Sequence, residues 1–237
     1  TDGLGAVSYQ WQRGGVDIAG ATASTYTTTQ TDVGQTISVV ASYTDGQGTF
    51  ESVASAATAA VANVNDSPTG SVTINDTTPT QGQTLTASNT LSDTDGLGAI
   101  SYQWQRGGVD IAGATGNTYT TSQTDAGQTI SVIASYTDGQ GAAESVASAA
   151  TAAVANVNDS PTGSVTIDDT TPSQGQTLTA SNTLADTDGL GPISYQWQRG
   201  GVDIAGATGN TYTTSQTDVG QTISVIASYT DGQGAAE

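Results

Sequence analysis

The sequence predicts an all-β chain of repeated β-sandwich modules, and three features support this fold class. One unit recurs every 93 residues: the heptapeptide Tyr-Gln-Trp-Gln-Arg-Gly-Gly stands at 9–15, 102–108 and 195–201. Within short runs, apolar and polar residues alternate with the period of a half-buried strand. Turn-forming residues separate these runs about every 8–12 positions, as they do in sandwiches.

The repeats are nearly identical, since residues 1–68 and 94–161 differ at eight positions only. We therefore expect every module to do the same job and any site to recur once per repeat. The predicted modules are 1–66, which lacks its first two strands, 67–159, which is complete, and 160–237, which lacks its last strand. Two explanations of the partial modules stay open. The chain is a window from a longer array, or subunits exchange strands end to end in a fibre, because each partial module leaves an unpaired sheet edge.

In the complete repeat, seven strands are predicted between turn-rich segments: 71–74, 83–87, 99–106, 109–111, 118–121, 128–136 and 144–157. The Gly-Gly after the third strand permits positive φ and predicts a tight hairpin. Only the alanine-rich stretch 147–155 is ambiguous, because alanine favours helix. We interpret it as strand because Val146, Ser148, Ala150, Ala152 and Val154 alternate along it, and because a seven-strand count requires it.

Trp104, on the third strand, is predicted to nucleate the core of its module. Burying such a ring removes roughly 150–250 Å² from water. A ligand-binding aromatic is the alternative interpretation. Tyr102, Tyr119 and Tyr136 are likewise interpreted as core or strand-face residues rather than as platforms for sugars. A tryptophan on the third strand is also where the immunoglobulin fold has one.

Longer motifs carry a resemblance to known families. Residues 123–127 resemble the Asp-x-Gly segment of immunoglobulin domains, although Thr129 stands where the corner tyrosine would be and Ser131 replaces the cysteine. The whole unit resembles the immunoglobulin-like and cadherin-like tandem repeats of giant bacterial surface adhesins, many of them secreted by type I systems. The motifs that carry this resemblance are Asp-Gly-Leu-Gly at 95–98, Tyr-Gln-Trp at 102–104, Thr-Asp-Ala-Gly at 124–127, Tyr-Thr-Asp-Gly at 136–139 and Val-Asn-Asp-Ser-Pro at 157–161. It implies tandem immunoglobulin-like sandwiches, an extracellular location at the bacterial surface or in a secreted matrix, and roles in adhesion and biofilm formation.

Composition narrows the function classes. The chain has 22 acidic and 3 basic residues and a net charge of −19. Such a surface repels nucleic acid and anionic lipid but attracts divalent cations. No apolar run approaches the roughly 20 residues that span a bilayer, so direct membrane insertion is not expected. Because the chain has no His, Cys or Lys, we expect no catalytic activity.

The acidic residues are predicted to gather at the joints between modules. If the chain enters a sandwich at its top end, the loops between strands two and three and between strands six and seven also lie at that end. The chain leaves the sandwich at the bottom end, beside the loops between strands one and two and between strands five and six. Each linker then meets the bottom loops of one module and the top loops of the next. So many carboxylates repel one another unless a cation lies between them. Ca²⁺, which accepts about six to eight hard oxygens in flexible geometry, suits such a cluster. The predicted ligands are Asp32, Asn65, Asp66, Asp93, Asp95 and Asp138 at the first junction, and Asp125, Asn158, Asp159, Asp186, Asp188 and Asp231 at the second.

Other interpretations of these acids stay open. Asp-Gly pairs are also ordinary turn chemistry. Arg106 lies near the predicted position of Asp125, and a buried Arg–Asp pair there would remove Asp125 from the metal set. The Val-Asn-Asp-Ser-Pro linker resembles the Asn-Asp linker of cadherins, which binds calcium between domains, but the flanking cadherin motifs are not matched in order.

The expected function is that of a structural spacer. Modules in series that contact only their neighbours form a rod, each about 40 Å long at roughly 3.3 Å per strand residue. Calcium is expected to stiffen the rod, which holds a distal adhesive domain away from the cell. Two alternatives stay open: a fibre, sheath or matrix subunit that binds other copies of itself, and a glycan-binding module.

Overall fold

The computed structural model describes residues 3–237, and in that range the regular structure is β-strand together with three single-turn 3-10 helices. The first predicted module contains β1 Ser8–Arg13, β2 Val16–Asp17, β3 Ile37–Thr44 and β4 Phe50–Ala54. The second contains β5 Val72–Ile74, β6 Thr84–Asn89, β7 Ser101–Arg106, β8 Val109–Asp110, β9 Thr118–Thr120, β10 Ile130–Thr137 and β11 Ala143–Ala147. The third contains β12 Val165–Ile167, β13 Thr177–Asn182, β14 Ser194–Arg199, β15 Val202–Asp203, β16 Thr211–Thr213 and β17 Ile223–Ser228. The 3-10 helices are Gln30–Asp32, Gln123–Asp125 and Gln216–Asp218.

Two antiparallel sheets form the second module, in the orders β5-β6-β9 and β11-β10-β7-β8. The fourth strand, β8, pairs with the third, β7, and so lies in the sheet of the third, sixth and seventh strands. Constant-type immunoglobulin domains instead place their fourth strand in the other sheet. The predicted fold class of tandem immunoglobulin-like β-sandwich modules is confirmed.

The partial modules contain the same sheets with strands missing. The first has the sheet β2-β1-β3-β4, and the third has β12-β13-β16 and β15-β14-β17. Every strand pairing in the described part of the chain joins strands of one predicted module. The boundaries at 66/67 and 159/160 stay a prediction.

The hairpin after the tryptophan strand follows from its two glycines. Gly107 and Gly108 have φ values of +54° and +81°, as a type I′ turn requires. Arg106 pairs with Val109 across the turn. The following strand is therefore held as a short ribbon at the edge of the sheet.

The predicted last strand, 144–157, is not continuous. β11 ends at Ala147, because side-chain hydroxyls take the place of backbone acceptors beyond it. Ser148 Oγ accepts the N–H of Val132 and Thr151 Oγ1 accepts the N–H of Ile130, both at 3.0 Å. This local competition with the ladder is typical of Ser and Thr. After this interruption the segment pairs again: Val154 forms a parallel bridge with Ala126, and Ala155 forms one with Thr80.

The core of the second module lies between its two sheets. Trp104, Leu85, Ile130, Val132 and Ala134 are each 0 % exposed, and they alternate with exposed or half-buried neighbours along their strands. The indole N–H of Trp104 donates to the carbonyl of Gly116 at 2.9 Å, so its polar atom is satisfied. The prediction that this tryptophan is a core residue is confirmed.

The three tyrosines are packed against the sandwich. Tyr136 is buried, Tyr102 and Tyr119 are half-buried, and the hydroxyl of Tyr102 accepts a hydrogen bond from Asn89 at 2.7 Å. Tyr119 lies 5.7 Å from Trp104, centroid to centroid. These positions agree with a core role. No helix in the described part combines the length and apolar character needed to cross a membrane.

Candidate metal centre

Two loops at one end of the second module bring three carboxylates together. Asp93 and Asp95 lie between β6 and β7, and Asp138 lies between β10 and β11. One oxygen of each carboxylate is within 4.8 Å of the others, and Asp186, Asp188 and Asp231 form the same group in the third module. Two oxygens bound to one Ca²⁺ at 2.3–2.6 Å are at most about 5 Å apart. The spacing therefore fits a shared divalent cation.

Glycines allow these loops to approach so closely. The N–H of Gly139 donates to the carbonyl of Gly96 at 2.9 Å, which joins the two loops directly. A Cβ at position 139 would lie 2.5 Å from the carbonyl oxygen of Asp95, closer than side-chain and backbone atoms pack. The Asp-Gly pairs thus form turns and also position carboxylates. Turn formation and grouping of carboxylates, the two interpretations of these pairs, are therefore compatible.

Asp93 is held by the core. Its Oδ2 accepts the hydroxyl of Tyr136 at 2.5 Å, and its Oδ1 accepts the backbone N–H of Asp95 at 2.8 Å. Burial, followed by this bond to Asp93, raises the pKa of the Tyr136 hydroxyl well above its usual value. Tyr136 therefore remains a hydrogen-bond donor at physiological pH, and Tyr229 donates to Asp186 in the same way.

Asp138 is the member of this group that has a buried oxygen without a hydrogen-bond partner. It is 6 % exposed, and its Oδ1 accepts the N–H groups of Gln140 and Ala142 at 2.9 and 2.8 Å. Its Oδ2 is buried without a hydrogen-bond partner, as is that of Asp231. Buried carboxylate oxygens are normally satisfied by donors or by metal ions. An unpartnered oxygen at this position is available to a cation.

The preceding module contacts this cluster through Asp95, which is 4 % exposed. The linker N–H of Asp66 donates to Asp95 Oδ2 at 2.7 Å, and Gln30, from the first 3-10 helix, donates its Nε2–H to Asp95 Oδ1 at 2.6 Å. Both oxygens of this carboxylate therefore face groups from the other side of the junction.

The second junction repeats this geometry at the 93-residue spacing. The N–H of Asp159 donates to Asp188 Oδ2 at 2.7 Å, and Gln123 Nε2–H donates to Asp188 Oδ1 at 2.8 Å. The agreement means that the same local sequence builds the same joint in both places.

The other predicted linker ligands do not join the clusters through their side chains. Asp66 and Asp159 contribute backbone N–H groups, and the Oδ2 of Asp159 accepts a 3.4 Å bond from Gln81. Asn65 and Asn158 are exposed, and their amides donate to Glu144 and Glu237 at 2.7 Å. The grouped carboxylates therefore come from the loops of the following module alone.

Asp32 and Asp125 lie outside the two groups of three carboxylates, and each is engaged in an ion pair within its own module. The Oδ1 of Asp125 accepts Arg106 Nε–H at 2.6 Å, while its Oδ2 accepts the Tyr119 hydroxyl and the Ser122 N–H at 2.8 and 2.6 Å. Asp32 makes the same pair with Arg13, and both aspartates are 0 % exposed. These bonds brace the module to which each aspartate belongs. The alternative that Asp125 pairs with Arg106 is therefore the one realised.

The ion pair between Arg13 and Asp32 in the first module shows how the pKa of the buried aspartate is set. Burial alone would raise the pKa of Asp32, but hydrogen bonds from the Thr29 backbone, Arg13 and Tyr26 outweigh burial and lower the pKa to about 2. The same balance lowers the pKa of Asp125. Each of these carboxylates therefore stays ionised to lower pH than an ordinary aspartate does.

Sequence reasoning missed several polar residues at the junctions, namely Gln30, Asn63, Tyr136 and Glu144 at the first and Gln123, Asn156, Tyr229 and Glu237 at the second. Gln123 stands two positions before the ion-paired Asp125, and Asn156 stands two before the predicted Asn158. One available signal was the pair of asparagines two residues apart in each linker. It places both side chains on one face of an extended segment.

Comparisons with known proteins give likenesses of fold. No protein-family model and no curated protein sequence matches the chain. A D1–D4 fragment of the ICAM-5 ectodomain is 16 % identical with a TM-score of 0.37, over 98 % of this chain and 66 % of that one. Fibronectin(III)-like modules of Clostridium thermocellum CbhA are 22 % identical with a TM-score of 0.27, over 65 % and 80 % of the two chains.

A Ca²⁺-stabilized adhesin that helps an Antarctic bacterium reach out and bind ice is 15 % identical with a TM-score of 0.32, over 100 % of this chain and 63 % of that one. The chain thus spans less than two thirds of both the ICAM-5 fragment and this adhesin. Likeness at this level concerns the fold alone.

Proposed function

We propose that the chain is a series of non-catalytic spacer modules from an extracellular bacterial adhesin, stiffened by Ca²⁺ at each junction into a rod that projects a distal binding domain. The observation that carries the proposal is the repeated junction itself. At both joints, a linker N–H and a glutamine of one module bond to an aspartate that belongs to a three-carboxylate cluster of the next.

Charge supports a cation at this position. Three carboxylates within 4.8 Å of one another repel strongly unless a cation lies between them. The free, buried Oδ2 atoms of Asp138 and Asp231 supply ligands that no protein donor satisfies. Ca²⁺ fits better than Mg²⁺, because Mg²⁺ demands near-ideal octahedral geometry and gives up its water reluctantly.

Composition supports a passive role. With no His, Cys or Lys in the sequence, imidazole bases and thiol or amine nucleophiles are missing, and the acids present recur identically from module to module. The adhesin assignment rests on the motif resemblance given above, as do the surface or matrix location and the roles in adhesion and biofilm formation. The modules' partners are then their neighbours in the chain.

The test compares the chain in Ca²⁺ and in chelator. Ca²⁺ at a hundred times its Kd stabilises the state that binds it by about 2.7 kcal/mol per site, so the melting temperature should rise in calorimetry. X-ray scattering should show a longer maximum dimension at the same time. If neither quantity differs between Ca²⁺ and chelator, the calcium part of the proposal is wrong.

Matched variants separate the cluster from general charge effects. Asp138→Asn with Asp231→Asn keeps the Oδ1 acceptor of each turn but removes two charges, and should abolish both responses to Ca²⁺. Asp110→Asn with Asp203→Asn removes two charges from exposed side chains that bond to Gln105 and Gln198 at 2.8 Å. This control should respond to Ca²⁺ as the unaltered chain does.

A further inference from the structure

Four buried side-chain oxygens in the described part of the chain lack a hydrogen-bond partner, and all four belong to junction residues. They are Asp138 Oδ2, Asp231 Oδ2, Gln123 Oε1 and Asn156 Oδ1. Leaving such an atom buried and unsatisfied is unfavourable. Two of the four are carboxylate oxygens of the clusters, whereas the other two are neutral amide oxygens from the module before the second junction.

At each junction a glutamine amide lies against the carboxylate cluster. Gln123 Nε2 is 2.8 Å from Asp188 Oδ1, so the amide oxygen on the same carbon is close to the group. At the first junction Gln30 Nε2 is 2.6 Å from Asp95 Oδ1 and 3.3 Å from Asn63 Oδ1. At the first junction, the glutamine and asparagine amides of one module therefore lie side by side at the carboxylates of the next.

We propose that Gln123 and Asn156 donate their amide oxygens to the cation held by the carboxylates of the third module, and that Gln30 and Asn63 do the same at the first junction. This inference rests on the proposed calcium site and adds ligands from the opposite module. Ca²⁺ accepts Asn and Gln carbonyls as well as carboxylates, about six to eight oxygens in all. Three carboxylates and two amides occupy most of these positions, and water or bidentate binding fills the rest.

The side-chain amide of Gln123 can stabilise the junction both with and without the ion. Rotation of its amide by 180° exchanges nitrogen and oxygen with no movement of the backbone. Without a cation, the NH₂ group donates to the carboxylate, as in the geometry above. With a cation, the oxygen turns towards it. Because ligands then come from both modules, ion binding and module docking become one coupled equilibrium.

Gln123→Glu and Gln123→Ala test this assignment in opposite directions. A carboxylate at a ligating position adds a charged ligand, so Gln123→Glu should bind Ca²⁺ roughly tenfold tighter at the second junction, since affinity follows ligand charge. In chelator, the same variant should melt at a lower temperature than the unaltered chain, because the new charge faces Asp188. Gln123→Ala should bind Ca²⁺ more weakly at that junction.

The third module offers a matched control. Gln216 occupies the same position in its own 3-10 helix but is exposed and contacts no following module within residues 3–237. Gln216→Glu should therefore leave both Ca²⁺ affinities unchanged. Affinities are measured by calorimetric titration with Ca²⁺, and independently by Tb³⁺ luminescence excited through Tyr136 and Tyr229, whose hydroxyls bond to Asp93 and Asp186.

The outcomes separate the two proposals. If the unaltered chain binds two Ca²⁺ and both Gln123 variants bind them equally well, the amide ligands are refuted while the calcium junction stands. If Gln123→Glu tightens binding no more than Gln216→Glu does, the effect is general electrostatic attraction and the inference also fails. If the unaltered chain binds no Ca²⁺, both proposals fall. Circular dichroism verifies that each variant is folded.

Discussion

At the scale of single residues, the three arginines show how an acidic chain uses its few positive charges. Each pairs with a buried aspartate of its own module, at Nε–Oδ1 distances of 2.5–2.6 Å. Removing one partner of a buried pair leaves an uncompensated charge and typically costs about 3–5 kcal/mol. The arginines therefore hold the individual sandwiches together, and the joints are left with carboxylates and amides only.

This arrangement predicts a defined acid transition. The folded-state pKa of Asp32 is about 2, below the unfolded value of about 3.9, and the pKa of Asp125 and Asp218 is also lowered. In that interval the unfolded chain binds more protons than the folded one, so stability falls as pH falls. Denaturant midpoints measured in chelator should change little between pH 7 and about 5 and then drop between about pH 4 and 2.

The variant Asp125→Asn checks the source of this transition. It should be less stable at neutral pH and should lose part of the acid dependence, because one titrating group has been removed. Asp110→Asn, at an exposed position, should keep the full dependence. An acid transition of equal size in all three chains would contradict the role given to the buried pair.

At the scale of elements, we expect the segment after β11 to set how the module responds to a pulling force. The N–H groups of Ala152 and Ala155 donate to the carbonyls of Thr77 and Pro79, at 2.8 and 2.9 Å, and the Thr80–Ala155 bridge is parallel. This segment leads directly into the linker that leaves the module. Tension along the chain pulls the two parallel segments in opposite directions along their axes and loads all their hydrogen bonds together.

Single-molecule pulling can test this geometry. The chain has no cysteine, so engineered pairs define the points of attachment. Handles at Ser67→Cys and Ser160→Cys load the second module in shear, whereas handles at Thr80→Cys and Ser160→Cys peel the same segments apart one bond at a time. We expect a several-fold higher rupture force in shear. Equal forces in the two geometries would show that this pairing does not resist the load.

At the scale of the whole molecule, the net charge of −19 makes the joints sensitive to their ionic surroundings. In chelator, the clustered carboxylates repel one another, and added salt screens that repulsion over a Debye length of about 8 Å at physiological ionic strength. In Ca²⁺, an ion bound as proposed would compensate this charge. Stability should then depend much less on monovalent salt.

We therefore expect the melting temperature in chelator to rise as NaCl increases from low to physiological concentration, and the melting temperature in Ca²⁺ to stay nearly constant. Calorimetric scans over a NaCl series measure both. The chain with Asp138→Asn and Asp231→Asn should show the same weak salt dependence in both buffers, since part of the repulsion has been removed. A steep and equal salt dependence in both buffers would contradict this prediction, because it would mean that the repulsion arises from charges outside the clusters.

The amino-acid sequence by itself determined the repeat, the sandwich class and the third-strand tryptophan core, because periodicity and turn chemistry are local properties of the chain. It also indicated that acids from loops far apart in sequence, such as Asp95 and Asp138, share the top of a module. Strand count and direction alone decide which loops lie at the same end.

Only the tertiary structure decided which polar atoms remain unpaired. Asp32 and Asp125 carry the same side chain as Asp138, yet arginine and backbone donors consume their oxygens while Asp138 Oδ2 stays free. Gln123 reaches the next module through the packing of one sandwich on another, and no short sequence pattern specifies that contact. Side-chain pairing depends on distances of a few tenths of an ångström between segments remote in the chain, and those distances are set by the folded structure.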